Sequence, residues 1–221
     1  MARESYQEKL DSLEEDVLYM GEVVLDRLRD TLVALENKDE ETAERIIETD
    51  DEVNQLYLDI EQQCIDLFAL QQPVAGDLRF IAASFKIITD LERVADLATN
   101  LGQYTLDAER DVFPEVDIQE IGAQTIAMIE DALDAYAEWD TEACYEVAAR
   151  DDEVDERCTR ASELVVRDLI EGEHDAPIED VLSDVSRLLL TIRDLERVGD
   201  HGVNIAARAL YMIENDDELI L

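Results

Sequence analysis

At 221 residues, with 7 Gly and 3 Pro, the chain can bury a real core without staples, and it has little punctuation for sheets and turns. Its 58 acidic against 18 basic residues give a formal net charge of -40. That charge sets it against nucleic-acid backbones and anionic membrane surfaces.

Apolar residues recur three and four apart, the helical period. From Leu10 a first stripe runs through Leu13, Val17, Met20, Val24, Leu28 and Leu32. Asn37 to Glu40 interrupts it, and Thr42 opens a second helix through Ile46, Val53, Tyr57, Ile60, Cys64 and Leu67, ending before Pro73. A third helix starts near Val74, carries Leu78, Ile81, Phe85 and Ile88, and continues to about Leu106; Pro114 sits in the next connection. The fourth stripe is Ile118, Ile121, Thr125, Met128, Ala132 and Tyr136. Asp140 and Thr141 open the fifth, through Val147, Val154, Cys158, Ala161 and Val165. After a loop from Glu171 to Pro177, the sixth carries Leu182, Val185, Leu189 and Ile192 to about Met212. At roughly 30 residues each, the helices would be about 45 Å long.

The second half repeats the first. Asp50-Asp51-Glu52-Val53 returns as Asp151-Asp152-Glu153-Val154. Asp90-Leu91-Glu92-Arg93-Val94, then Asp96 and Asn100, returns as Asp194-Leu195-Glu196-Arg197-Val198, then Asp200 and Asn204. The expected fold is all-α, two tandem three-helix bundles of six long helices related by an internal pseudo-twofold repeat, spanning 1–112 and 113–221.

Cys64, Cys144 and Cys158 form no C-x-x-C, so they read as small buried hydrophobes and not as a disulfide framework or zinc knuckle. Only Lys9, Lys38 and Lys86 are lysines. An acidic surface with few lysines suits a halophilic setting, where counterions screen self-repulsion. A melting temperature that rises little from low to molar salt would count against that expectation. The opening M-A-R-E-S-Y-Q-E has no apolar leader core, and no run approaches the ~18 apolar residues of a spanning helix. A soluble, cytoplasmic protein without membrane insertion is expected.

The chemistry-bearing residues are carboxylates. Glu92 with Asp96, and Glu196 with Asp200, lie four apart on one helix face, with Cβ atoms ~6 Å from each other. Roughly fifteen such pairs arise by accident in so acidic a chain. These two differ in position: Glu92 falls within about 20° of the line of Ile81 and Phe85, and Glu196 likewise follows Val185 and Leu189. Asn100 and Asn204 come one turn further on, and Ala95 and Gly199 leave room on the other flank. On the second helices, Asp50 interrupts the stripe between Ile46 and Val53, and Asp151 between Val147 and Val154, followed by Asn54 and Asp155. A buried carboxylate needs a neutralising partner. An ion pair with Arg93 or Arg197, a stripe that has drifted into solvent, and a hard cation held by oxygen ligands are the open readings. Oxygen ligands suit Mg, Mn, Ca or a carboxylate-bridged iron cluster, with zinc also open. Of the two histidines, His174 lies in a loop, and His201 points about 100° away from Asp200. No G-x-x-x-x-G-K-[ST] and no G-x-S-x-G occurs, so neither a kinase nor a hydrolase is expected.

At the two D-L-E-R-V-x-D-x-x-x-N segments the chain resembles the PhoU family, accessory proteins of the phosphate-specific transport system that carry E-R-[IV]-G-D in each half. Glu196-Arg197-Val198-Gly199-Asp200 keeps that pattern; the first copy has Ala95 for the glycine. Met20-Gly21, Asp50 with Val53-Asn54, Gln72-Pro73 with Asp77-Leu78-Arg79, and Asp151 with Val154-Asp155 match as well. The resemblance implies a non-enzymatic six-helix homodimer with iron or zinc clusters. By it, Asp50, Glu92, Asp96 and Asn100 would form one site, and Asp151, Glu196, Asp200 and Asn204 the other. It also implies negative regulation of the phosphate-starvation response and of phosphate transport, through a phosphate ABC transporter and a sensor histidine kinase. Competing readings are a regulator of another phosphate carrier, a metal-free helical scaffold, and a ferritin-type iron oxidase. The last needs two E-x-x-H motifs, and the single match, Glu171 to His174, is in a loop.

Overall fold

The computed structural model describes residues 2–70, 74–107, 116–172 and 176–219. His174, Gln72-Pro73 and Pro114 lie outside these residues. The described segments form α1 (Ala2–Asn37), α2 (Glu40–Glu48), α3 (Asp50–Leu70), α4 (Ala75–Leu106), α5 (Ile118–Glu138), α6 (Thr141–Glu171) and α7 (Ile178–Glu214), with no strand among them. These are the six expected long helices, the second of which is broken at Thr49 into α2 and α3. The fourth, α5, is shorter than expected at 21 residues.

Local chemistry explains the corners. Lys38 and Trp139 both adopt the left-handed conformation, with φ of 54° and 60°. The next residues, Asp39 and Asp140, start the following helices. Asp39 accepts from the Thr42 amide at 3.2 Å, and Asp140 from the Glu142 and Ala143 amides at 2.9 and 3.1 Å. The amides of Asp39 and Asp140 reach back to the carbonyls of Ala34 and Ala135, satisfying acceptors that a helix end leaves unpaired. The same corner is thus built twice, 101 positions apart (Asp39 to Asp140).

That shift relates α1 to α5 and α2–α3 to α6, and a shift of 104 (Asp90 to Asp194) relates α4 to α7. Packing obeys the same symmetry. A Cβ on Gly21 would come within 2.5 Å of Leu133 Cδ1, and one on Gly122 within 2.5 Å of Leu32 Cδ1. Leu32 and Leu133 are themselves 101 apart, so the two glycines let α1 and α5 cross closely at one reciprocal contact.

The halves share one continuous apolar core, in which Leu13, Met20, Leu28, Ile81, Leu91, Met128, Tyr136, Leu195 and Leu210 are sealed from solvent. Two polar ties cross between α4 and α7. Asp90 pairs with His201 Nδ1 at 2.9 Å, and the Tyr104 hydroxyl donates to Asp194 Oδ2 at 2.9 Å. All three cysteines are buried and unpaired, as expected of small hydrophobes. No helix among the described residues is long and apolar enough to cross a membrane.

Candidate metal centre

In each half the carboxylates gather where the second helix meets the third. They stand at the rim of the core. The reason is visible in the stripe itself: Phe85 and Leu189, which precede Glu92 and Glu196 on their faces, are already only half-buried. Glu92 and Glu196 remain partly buried, Asp96 and Asp151 likewise, and Asp155 and Asp200 are exposed. Asn100 and Asn204, one turn beyond, are exposed. His201 is committed to Asp90 on the neighbouring third helix.

In the first half, Asp50 has a full set of donors. Oδ1 receives Arg27 Nη1 at 3.3 Å and Thr99 Oγ1 at 3.0 Å, and Oδ2 receives Asn54 Nδ2 at 3.1 Å. The Arg27 side chain is only 5% exposed. Its Nη2 also donates to the Thr49 carbonyl at 2.5 Å and to the Thr49 hydroxyl at 3.3 Å. Thr49 is the residue at which the second helix breaks, so the guanidinium caps a carbonyl in the broken turn while it neutralises the adjacent aspartate. Outside this knot, Arg93 stands 3.5 Å from both Glu92 and Asp96. Burial and the neighbouring Asp96 raise the Glu92 pKa, and Arg93 opposes them. Asp96 is raised by burial and Asp50, against Arg93 and Arg197.

The second half keeps the carboxylates and loses the donors. The counterpart of Arg27 is Met128, fully buried; that of Thr99 is Val203; that of Asn54 is Asp155. The helix runs unbroken through Arg150 and Asp151, and Arg150 pairs with Asp131 at 2.5 Å. Carboxylate oxygens of Asp151, Asp155 and Asp200 lie within 4.8 Å of one another. Among the described residues no basic side chain forms an ion pair with these three or with Glu196. Asp151 Oδ1 is buried and has no hydrogen-bond partner. Burial first, then Asp155, Asp200, Asp152 and Glu196, pushes the Asp151 carboxyl from 3.8 up to about 6. Glu196 is raised by burial, Asp155 and Asp200; Asp200 by burial and Asp155, against His201 and Arg197.

An orphaned buried oxygen among like charges fits a hard divalent cation. The buried Cys158 thiol sits beside the cluster, and burial, followed by Glu196, Asp155 and Asp200, pushes its pKa up to about 12 in the metal-free protein. A Cβ on the buried Gly199 would make ordinary van der Waals contact with Val154 at 3.5 Å and with Asp151 Oδ1 at 3.9 Å, so the alanine found at the equivalent Ala95 would fit here too.

Two residues of this arrangement escaped the reading of spacing alone. Spacing alone places Asp155 one turn after Asp151, and α6 brings it into the cluster itself. Arg27 gave one signal that could have found it: a basic residue spaced from Val24 and Thr31 like a stripe position, opposite a methionine in the repeat.

The PhoU domain model matches residues 17–105 and 118–209, once in each half. The chain is 34% identical over 216 residues to the Clostridium acetobutylicum phosphate-specific transport system accessory protein PhoU homolog, covering 96% of each protein. The crystal structure of PhoU from Pseudomonas aeruginosa superposes with a TM-score of 0.88 at 30% identity, over 96% of this chain and 100% of that one. The phosphate transport system regulatory protein PhoU from Streptococcus pneumoniae gives 0.87 at 27% identity, over 96% and 98%.

Proposed function

The chain belongs to the PhoU family, and on that premise we propose that it is a non-enzymatic accessory regulator of phosphate transport that carries a divalent metal in its second half. The observation that carries the regulatory role is the end-to-end match, at 96% of both chains, to a protein named as a phosphate-transport accessory. In this reading the protein acts in the cytoplasm as a homodimer. It represses the phosphate-starvation response and phosphate uptake when phosphate is plentiful. Its contacts would be a phosphate ABC transporter and a sensor histidine kinase.

Asp151, Asp155, Glu196 and Asp200 would hold the metal, which would supply positive charge and tie α6 to α7. The support is the orphaned Asp151 oxygen in a group of carboxylates with which, among the described residues, no arginine forms an ion pair. Iron, zinc, manganese, magnesium and calcium are all compatible with an oxygen-rich site. Disrupting the gene in its host tests the role. Uptake of radiolabelled phosphate in phosphate-replete medium should rise, and unchanged uptake would refute repression.

A further inference from the structure

The two halves contain the same motif, yet the first already holds a cation. We infer that the Arg27 guanidinium is the built-in cation of the first half, so that exchangeable metal loads the second half alone. This rests on the metal reading of the second cluster given above.

Several features of the two halves converge. Arg27 is almost wholly buried, and a buried guanidinium stays there only with full pairing. It reaches Asp50, the residue equivalent to Asp151, and so removes the charge deficit that distinguishes Asp151. Thr99 and Asn54 complete the set, leaving both Asp50 oxygens satisfied. The helix break at Thr49 is present only where Arg27 is present, and the Thr49 carbonyl is one of its acceptors. In the second half Met128, Val203 and Asp155 replace the three donors with two apolar side chains and a further carboxylate. A metal entering the first half would have to displace a buried, hydrogen-bonded guanidinium and then share the space with its charge. The substitution at the Arg27 position therefore decides which half binds metal, although Glu92-Arg93-Val94 and Glu196-Arg197-Val198 are identical.

The test is Mn2+ titration of chelator-stripped full-length protein, with free Mn2+ followed by its electron paramagnetic resonance signal. The wild type should bind in one tight class. That class should be lost, at least tenfold weaker, in Asp151→Asn and should persist in Asp50→Asn. Arg27→Met, which installs the repeat's own residue, should add a second class that a further Asp50→Asn change removes. The reverse exchange, Met128→Arg, should abolish the tight class, and a circular-dichroism melt of each variant verifies folding.

Wild-type binding in two classes within about threefold, one sensitive to Asp50→Asn and the other to Asp151→Asn, would overturn the inference while leaving the metal reading intact. So would a folded Arg27→Met protein that gains no Mn2+. If the wild type binds nothing and Arg27→Met binds at Asp50, Arg27 is still the cation of the first half, but the metal reading of the second half fails and the selective loading inferred from it fails too. No binding in either protein overturns both.

Discussion

Asp50 and Asp151 occupy the same place in the two halves, at the level where the second helix meets the third, but they live in different electrostatic company. Asp50 is held by an arginine, a threonine and an asparagine. Asp151 faces Asp155, Asp200 and Glu196, with one oxygen buried and bonded to nothing. The comparison shows that a duplicated motif fixes where carboxylates stand and leaves open how their charge is met. The neutralising group comes from another helix, and that helix has diverged.

The sharpest way to break this comparison is to remove one charge from each half and compare signs. Asp50→Asn strands the buried Arg27 guanidinium and weakens its hydrogen bond, and should destabilise the protein by about 2 kcal/mol. Solvent screening keeps the loss modest, because the Asp50 side chain is 30% exposed. Asp151→Asn removes a half-buried charge that only repels its neighbours, so the metal-free protein should gain about 1 kcal/mol. Urea denaturation of both variants with chelator present measures the difference. Equal destabilisation by the two substitutions would mean that the halves are electrostatically alike.

A smaller effect follows from the direction of the Asp151 shift. Its carboxyl is raised in the folded state from 3.8 to about 6, so folding favours the protonated form. The contribution of this group is fully present below the unfolded value and is lost as pH rises through about 6. Metal-free protein should therefore lose stability between pH 4 and 6.5, roughly, at constant salt. Asp151→Asn should flatten that slope in part, because Glu196, Asp200, Glu92 and Asp96 are pushed the same way. A slope unchanged by the substitution would show that Asp151 titrates as an ordinary surface carboxylate.

Much of this was legible in one dimension. The spacing of Leu13, Val17, Met20 and Val24, all of them sealed from solvent, placed α1 and its inward face, and the same reasoning placed the other helices. The helix starts at Asp39 and Asp140 could be read because an N-cap is a local interaction within three residues. The break at Thr49 could not. The carbonyl it exposes is met by a guanidinium from 22 residues upstream in the chain. The depth of Glu92 and Glu196 was likewise overstated by helical angle alone, since an angle gives direction on one helix and says nothing about where the neighbouring helix ends.

By itself the sequence determined an all-helical, duplicated chain, its apolar faces, and the residues able to offer oxygen ligands. These follow from periodicity and from repeated letters, which need no knowledge of partners. Tertiary structure alone decided that His201 belongs to Asp90, that Asp155 joins Asp151 and Asp200, and that Arg27 fills one of two otherwise parallel sites. Charge neutralisation acts through space over a few ångströms, between helices whose residues lie far apart in the chain.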